Sequence, residues 1–310
     1  MSQPAAGSRL AGATLGVVQI LWANDDIPEL RSDVPALAIL DEMHRLGYRG
    51  SQLGSTFPRG QALLAALRAR DLRIAENYAG LPCTPDGPTD EARERGRATL
   101  ESLHAAEGDV LVAALALTPD RIVRAGRAAD PVTPRMSPAG FARLGRLLED
   151  LARESEALGH RLVFHNHVGT YVETPDELDV LLAETDPALV GSCLDVGHYI
   201  VGGGDPVAAL RRYGERVRHV HLKDVSGEVL ARLRSGATGG FLDALRDRLF
   251  CEVGAGVLDV LGVLRELAAR DYRGWIMIEQ DTTWRAPSES AAISRGVYDF
   301  ALRVLAGGTA

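Results

Sequence analysis

The sequence predicts an α/β fold closed into a (β/α)8 barrel, and three observations carry that prediction. Short apolar runs rich in β-formers alternate with longer amphipathic segments along the chain. About eight such pairs can be counted, the number that closes a barrel. Imidazole and carboxylate side chains gather at the C-terminal ends of the last four runs, the face on which such a barrel builds its pocket.

The strands are expected over residues 14–20, 50–53, 73–76, 109–114, 161–166, 190–195, 217–222 and 274–279, each bounded by turn or charged residues. Between them, periodicity places helices over 35–46, 61–70, 89–106, 138–158, 175–184, 206–213 and 257–269. Two of these starts are marked chemically. Thr174-Pro175-Asp176-Glu177 and Ser137-Pro138 set a hydroxyl cap before a proline in the first helical position, where its missing N–H is no loss. Two connections are longer: 116–137, rich in Pro and Arg, and 226–250, with a Gly-Gly pair. Loops of that length commonly wall the pocket of a barrel. Residues 13–310 are therefore expected to form one barrel domain, preceded by a small, polar and disordered N-terminus over 1–12.

Composition limits what the barrel does. At 310 residues, 46% hydrophobic and 25% charged, the chain can bury a sizeable core. A formal charge of −8 with no long Lys/Arg run gives no footprint for nucleic acid or an anionic membrane, so neither is expected as a partner. A small neutral polyol or keto-sugar suits it better. No apolar stretch approaches about eighteen residues, and the N-terminus lacks the basic-then-apolar order of a secretory signal, which points to the cytoplasm. Cys83, Cys193 and Cys251 are far apart and odd in number, so neither a disulfide framework nor a thiolate zinc site is indicated. Apolar outer helices leave room for a homo-oligomer.

The fifth strand ends in His165-Asn166-His167 and the sixth in Asp195-Val196-Gly197-His198. The seventh carries His219-Val220-His221-Leu222-Lys223-Asp224, and the eighth ends in Glu279-Gln280-Asp281. Imidazole combined with carboxylate is a ligand set for Mn, Co, Fe, Zn or Mg rather than for a soft metal. Residues two apart on a strand share a face, so His165 pairs with His167 and His219 with His221, one of each pair lying deeper. Plainer roles compete at several positions. Asp195 also fits a helix cap, Glu173 a helix-start carboxylate, His167 and His219 orienting partners, and Trp22 plain core. Gly202-Gly203-Gly204 has no Lys-Ser/Thr after it and reads as a loop, not a phosphate cradle.

The strings F-H-N-H-V-G-T-Y-V-E-T, C-L-D-V-G-H, H-V-H-L-K-D-V and G-W-I-M-I-E resemble the xylose-isomerase-like TIM-barrel superfamily, of sugar phosphate isomerase/epimerase type. Within it the chain is most similar to the inosose dehydratase (2-keto-myo-inositol dehydratase) family, as are the run from Trp22 to Leu30, Glu42-Met43 and Leu53-Gly54-Ser55-Thr56-Phe57-Pro58. The resemblance implies a divalent metal, Mn or Co first and Mg, Fe or Zn also suitable, held by Asp195, His221 and Glu279. His165 stands where the superfamily usually supplies a glutamate, which makes it the first candidate for a fourth ligand, ahead of His167 and Glu173. The implied activity is a lyase that dehydrates a keto-inositol or related keto-sugar by α-proton abstraction and β-elimination through a metal-stabilised enolate. The alternatives are a metal-dependent ketose epimerase or isomerase, and an eliminase that cleaves a 3-keto-glycoside. Lys223, Glu279, His198 and His219 are the candidates for acid and base, and Trp22, Asn24, His167 and Glu76 for holding substrate. The fourth strand departs from the family, with Leu111-Val112-Ala113-Ala114-Leu115 where a Glu-Gln pair is expected.

Overall fold

The structure, a computed structural model, describes residues 10–24, 27–30 and 33–307. Residues 1–9 of the expected N-terminal tail, and the pair Asp25-Asp26, lie outside the described residues. Eight parallel strands close on themselves: β1 (Thr14–Val17), β2 (Gly50–Gln52), β3 (Arg73–Leu81), β4 (Val110–Leu115), β5 (Arg161–His165), β6 (Val190–Asp195), β7 (Val217–Leu222) and β8 (Trp275–Ile278). Each pairs with its sequence neighbour, and β1 meets β8 with Thr14 opposite Trp275, so the sheet has no open edge.

The alternation of side chains along each strand determines what fills the barrel. Trp275 and Met277 on β8, Val163 on β5, Val112 on β4 and Cys193 on β6 form an apolar plug in its lower half. One step further along the same faces come Glu279, His165 and Asp195, joined by His221 of β7, so these polar residues stack on top of that plug. Gly50 keeps the plug possible: a Cβ there would sit 2.5 Å from the Trp275 ring.

The outer ring packs Leu63, Leu67, Leu100, Leu144, Leu148, Leu181 and Leu264 into a continuous core against the strands. These belong to α2 (Gln61–Arg68), α3 (Asp90–Ala105), α5 (Pro138–Ala157), α6 (Pro175–Ala183) and α11 (Val260–Ala269). α1 (Ala36–Arg45) and α8 (Pro206–Tyr213) complete the helices expected from periodicity. Both expected hydroxyl caps form. Ser137 accepts from Gly140, and Thr174 with Glu177 makes a reciprocal capping box.

Several elements differ from the sequence expectation. The first strand stops at Val17, not residue 20, because Gln19–Leu21 turn into a 3-10 helix that draws Trp22 into the core. The third strand continues to Leu81 because β4 offers partners as far as Leu115. Both long loops contain helices: α4 (Pro119–Ile122) in the first, α9 (Gly227–Ser235) and α10 (Phe241–Arg246) in the second. α7 (Val196–Val201) and α12 (Pro287–Leu305) were also missing from the expected set. Ser290, Ala291, Ser294, Tyr298 and Ala301 form the buried face of α12, too polar and too small to read as an apolar stripe. Among the described residues, no helix is long and apolar enough to cross a membrane.

Candidate active site

Four strand ends bring four metal-ligating side chains to one point. His165 closes β5, Asp195 closes β6, His221 lies next to last on β7, and Glu279 follows β8 directly. One donor atom from each lies within 4.8 Å of the others. His221 Nδ1 is 2.6 Å from Glu279 Oε2, and Asp195 Oδ2 is 3.4 Å from His165 Nε2 and 3.7 Å from His221 Nδ1. All four residues are buried.

Asp195 makes the helix cap weighed for it and also points an oxygen into the cluster. Its Oδ1 accepts the His198 N–H at 2.7 Å and caps α7, while Oδ2 is buried with no hydrogen-bond partner. A buried carboxylate oxygen is costly without a counter-charge; the Lys223 ammonium 3.4 Å away supplies one, and a divalent ion at the four donors would supply another. The two-nitrogen, two-oxygen set suits a hard or borderline divalent ion. Cys193 lies close enough to His165 and His221 to offer sulfur as well, and without a metal burial pushes its thiol up to about 12.

Beneath the cluster lies a second layer. Glu76 Oε2 is 2.9 Å from His221 Nε2 and 2.5 Å from His219 Nε2. Burial opposes a charge on Glu76, yet the two imidazoles outweigh it and hold the carboxyl well below its ordinary range. An ionised carboxylate only accepts. Burial opposes a charge on His221, but its neighbours, Glu76 and Glu279 among them, hold the imidazole well above its ordinary range. It therefore donates Nε2–H to Glu76 and Nδ1–H to Glu279, and an ion at the four donors would take the place of the Nδ1 proton. The sequence reading gave Glu76 to substrate and His219 to proton transfer. The structure places both under the cluster, fully buried and away from the cavity wall.

Lys223 lies beside the cluster at 1% exposure. Its Nζ is 2.8 Å from Asp281 Oδ1, 3.3 Å from Glu279 Oε2, 3.4 Å from Asp195 Oδ2 and 3.0 Å from His198 Nε2. Burial alone would neutralise this amine, but Asp195, Asp281 and Glu279 overcome it and keep an ammonium. Burial, with His167 and Lys223 adding to it, holds His198 neutral. Gly197 gives the lysine its passage, since a Cβ there would lie 2.7 Å from Lys223 Cγ and 2.9 Å from its carbonyl oxygen. The sequence reading gave Asp281 no role. Its spacing of two from Glu279 was the available signal, since both line the cavity.

That cavity, about 320 Å³, opens above the cluster between Gln19, Gln52, Tyr78, Leu115, Leu117, His165, His167, Glu279 and Asp281. His167 donates Nδ1–H to the Val168 carbonyl at 2.7 Å. Burial and the neighbouring His165 push its pKa down to about 3, so it stays neutral with Nε2 as an acceptor. Two residues expected to hold substrate lie elsewhere. Trp22 is fully buried, with Nε1 donating to Glu42 at 2.6 Å. Asn24 donates to the Asp281 carbonyl and accepts from Ile27 at 2.6 Å, which fixes the loop after β8. Gln19 and Gln52 have no site role in the sequence, because a lone amide at a strand end has no ligand pattern. Glu173 is not in the cluster; it accepts from Gly126 and Gly169 and ties two pocket loops together. A larger cavity of about 550 Å³ lies at the opposite mouth, among Arg73, Arg161, Arg218 and Trp275, and holds none of these donors.

The family model described as "Xylose isomerase-like TIM barrel" matches residues 38–297. The rhizopine catabolism protein MocC of Rhizobium meliloti is 34% identical over 291 residues, covering 90% of this chain and 84% of that protein. An inosose dehydratase of Clostridium tetani is 31% identical over 289 residues, covering 91% and 94% of the two chains. Among solved structures, an L-ribulose 3-epimerase superposes with a TM-score of 0.69 at 14% identity, covering 94% of this chain and 95% of that one.

Proposed function

Because the chain belongs to the xylose isomerase-like TIM barrel family, we propose that it is a metal-dependent lyase that dehydrates a keto-inositol or a related keto-sugar. The position of Glu279 carries this reading. One carboxylate both completes the four-donor cluster and lines the cavity in which a polyol would sit. Relatives named inosose dehydratase support the substrate class.

His165, Asp195, His221 and Glu279 would hold the ion, with Mn or Co the first choices. Bound there, it supplies Lewis acidity toward a ketone oxygen and so eases loss of the neighbouring proton. The chain's own residues do the rest. Glu279 takes the α-proton, a general-base contribution of roughly 10²- to 10⁴-fold. The departing β-hydroxyl needs a proton, and Lys223 is its source. Lys223 does not line the cavity, but Asp281, 2.8 Å from its ammonium, does and carries the proton across. His167 accepts a hydrogen bond from a substrate hydroxyl at Nε2. His198 supports Lys223, and His219 supports His221 through Glu76.

Returning the proton to the opposite face of the same carbon would make this an epimerase. A second carboxylate base would then be expected on β5, and that strand ends in His165, which favours elimination. Following an inosose by NMR in D2O separates the two. Elimination yields a conjugated ketone at the rate the α-proton is lost, whereas a diastereomeric ketone carrying deuterium would replace this reading by epimerisation.

A further inference from the structure

Among the described residues, three groups of metal-ligating side chains share His221. Two are the four-donor cluster that reaches the cavity and the Glu76–His219 layer beneath it. The third joins His221 to His165 and Cys193, with one donor atom from each within 4.8 Å of the others. Its sulfur groups with the two imidazoles and not with the carboxylates of Asp195 and Glu279.

Strand register builds this third group. His165 and Cys193 are paired residues on β5 and β6, and Cys193 lies two residues before Asp195 on the same face. Cys193 is fully buried, and its thiol is within hydrogen-bonding reach of the His221 imidazole. His165, 2% exposed, faces Asp195 through Nε2, while its Nδ1 is buried with no hydrogen-bond partner. Packing in the apolar plug accounts for a cysteine at this position but not for that uncommitted ring nitrogen. Spacing among the cysteines does not reveal such a group, because only one takes part and its partners come from other strands.

The sulfur changes which ion is preferred. One thiolate with two imidazoles suits a thiophilic ion such as Zn2+ or Cd2+, whereas Mn2+ and Mg2+ favour carboxylate oxygens. Both groups draw on His221, and Glu76 holds its Nε2, so Nδ1 can serve one ion at a time. An ion beside the sulfur is also without Glu279, the carboxylate that lines the cavity.

We propose that His165, Cys193 and His221 form a second metal position, for thiophilic ions, that competes with the four-donor position above it and withdraws His221 from it. The proposal rests on the four-donor position as the working metal site. As zinc binds, a sulfur–zinc bond replaces the S–H bond and the proton leaves to water.

X-ray absorption at the metal edge reads the ligands directly and needs no variant. Metal-free protein given one equivalent of Zn2+ is expected to show one sulfur neighbour at about 2.3 Å beside nitrogens at about 2.0–2.1 Å, and the same protein given Mn2+ only nitrogen and oxygen. Zn2+ added to the Mn-loaded protein should release Mn2+, read as the free ion by electron paramagnetic resonance, and gain the same sulfur neighbour. Cys193→Ser, with Cys193→Ala as a second way of removing the sulfur, should lose that neighbour. In competition with a chelator both variants should bind Zn2+ more weakly by about 10–100-fold or more, the order lost when a ligand's own partner is removed, with Mn2+ affinity unchanged. Zn2+ bound by nitrogen and oxygen alone in the parent, a sulfur neighbour that survives both variants, Mn2+ retained beside sulfur-bound zinc, or Zn2+ and Mn2+ affinities that fall together would overturn the second position. If Mn2+ fails to bind while zinc shows the Cys193-dependent sulfur, the second position stands and the four-donor reading fails.

Discussion

His221 is gripped at both nitrogens: Nε2 lies 2.9 Å from Glu76 and Nδ1 lies 2.6 Å from Glu279. The two carboxylates have different work. Glu76 is buried below, braced by His219, and accepts the Nε2 proton in a hydrogen bond, whereas Glu279 reaches the cavity. A metal-binding imidazole whose far nitrogen loses its carboxylate partner typically loses about 10–100-fold in metal affinity. Glu76→Gln is therefore expected to weaken Mn or Co binding by that order, measured by competition with a chelator. Unchanged affinity would remove Glu76 from the account.

Lys223 neutralises a pocket that holds Asp195, Glu279 and Asp281. Taking one partner from such a buried group costs about 3–5 kcal/mol. Lys223→Met should lower the melting temperature of the metal-free protein accordingly, abolish turnover, and regain part of its stability when a divalent cation is added. A melting temperature indifferent to metal would show that the carboxylates are not the source of the loss.

Glu173 gives the pH dependence. Burial pushes its carboxyl up to about 7 from an ordinary 4.5, against the pull of the Gly169 N–H, Arg121 and the Gly126 N–H. The folded state thus binds this proton more tightly than the unfolded state does. Its contribution to stability is present below about 4.5 and is lost as pH rises to about 7. Glu173→Gln cannot ionise, and its single amide oxygen accepts from one of Gly126 and Gly169 at every pH. Denaturant unfolding across that window should be flatter for the variant than for the parent, and parallel curves would contradict the assignment.

Gly197→Ala tests the passage of Lys223. The added methyl would meet the lysine's carbonyl oxygen as well as its side chain, and the backbone cannot give way cheaply. A loss of about 1–3 kcal/mol is expected, with turnover reduced beyond what the lost folded fraction explains. Full activity per folded molecule would contradict it.

Much of the site was legible because strands repeat every two residues and a barrel brings its strand ends together. His165, Asp195, His221 and Glu279 each end an apolar run, so their convergence follows from topology. Depth within that set was not legible. His219 and His221 are equivalent by spacing, and only the layer each occupies puts the first under the cluster and the second in it. Glu76 has the same ambiguity, since its partners are more than a hundred residues away and no local pattern announces them. Trp22 and Asn24 follow a strand end as pocket residues do, but a turn of 3-10 helix takes one into the core and sets the other under the Asp281 loop. Helices α9, α10 and α12 were missed where segments were short or buried small polar residues.

His165, Asp195, His221 and Glu279 are proposed to hold a divalent ion on which elimination from a keto-polyol depends. The most direct measurement is turnover of an inosose by chelated protein restored with Mn, Co or Mg, followed by the ultraviolet absorbance of a conjugated ketone, with His221→Ala alongside. Absorbance is expected to rise only with metal and only with the parent protein. Equal turnover in chelator, or by His221→Ala, would contradict it.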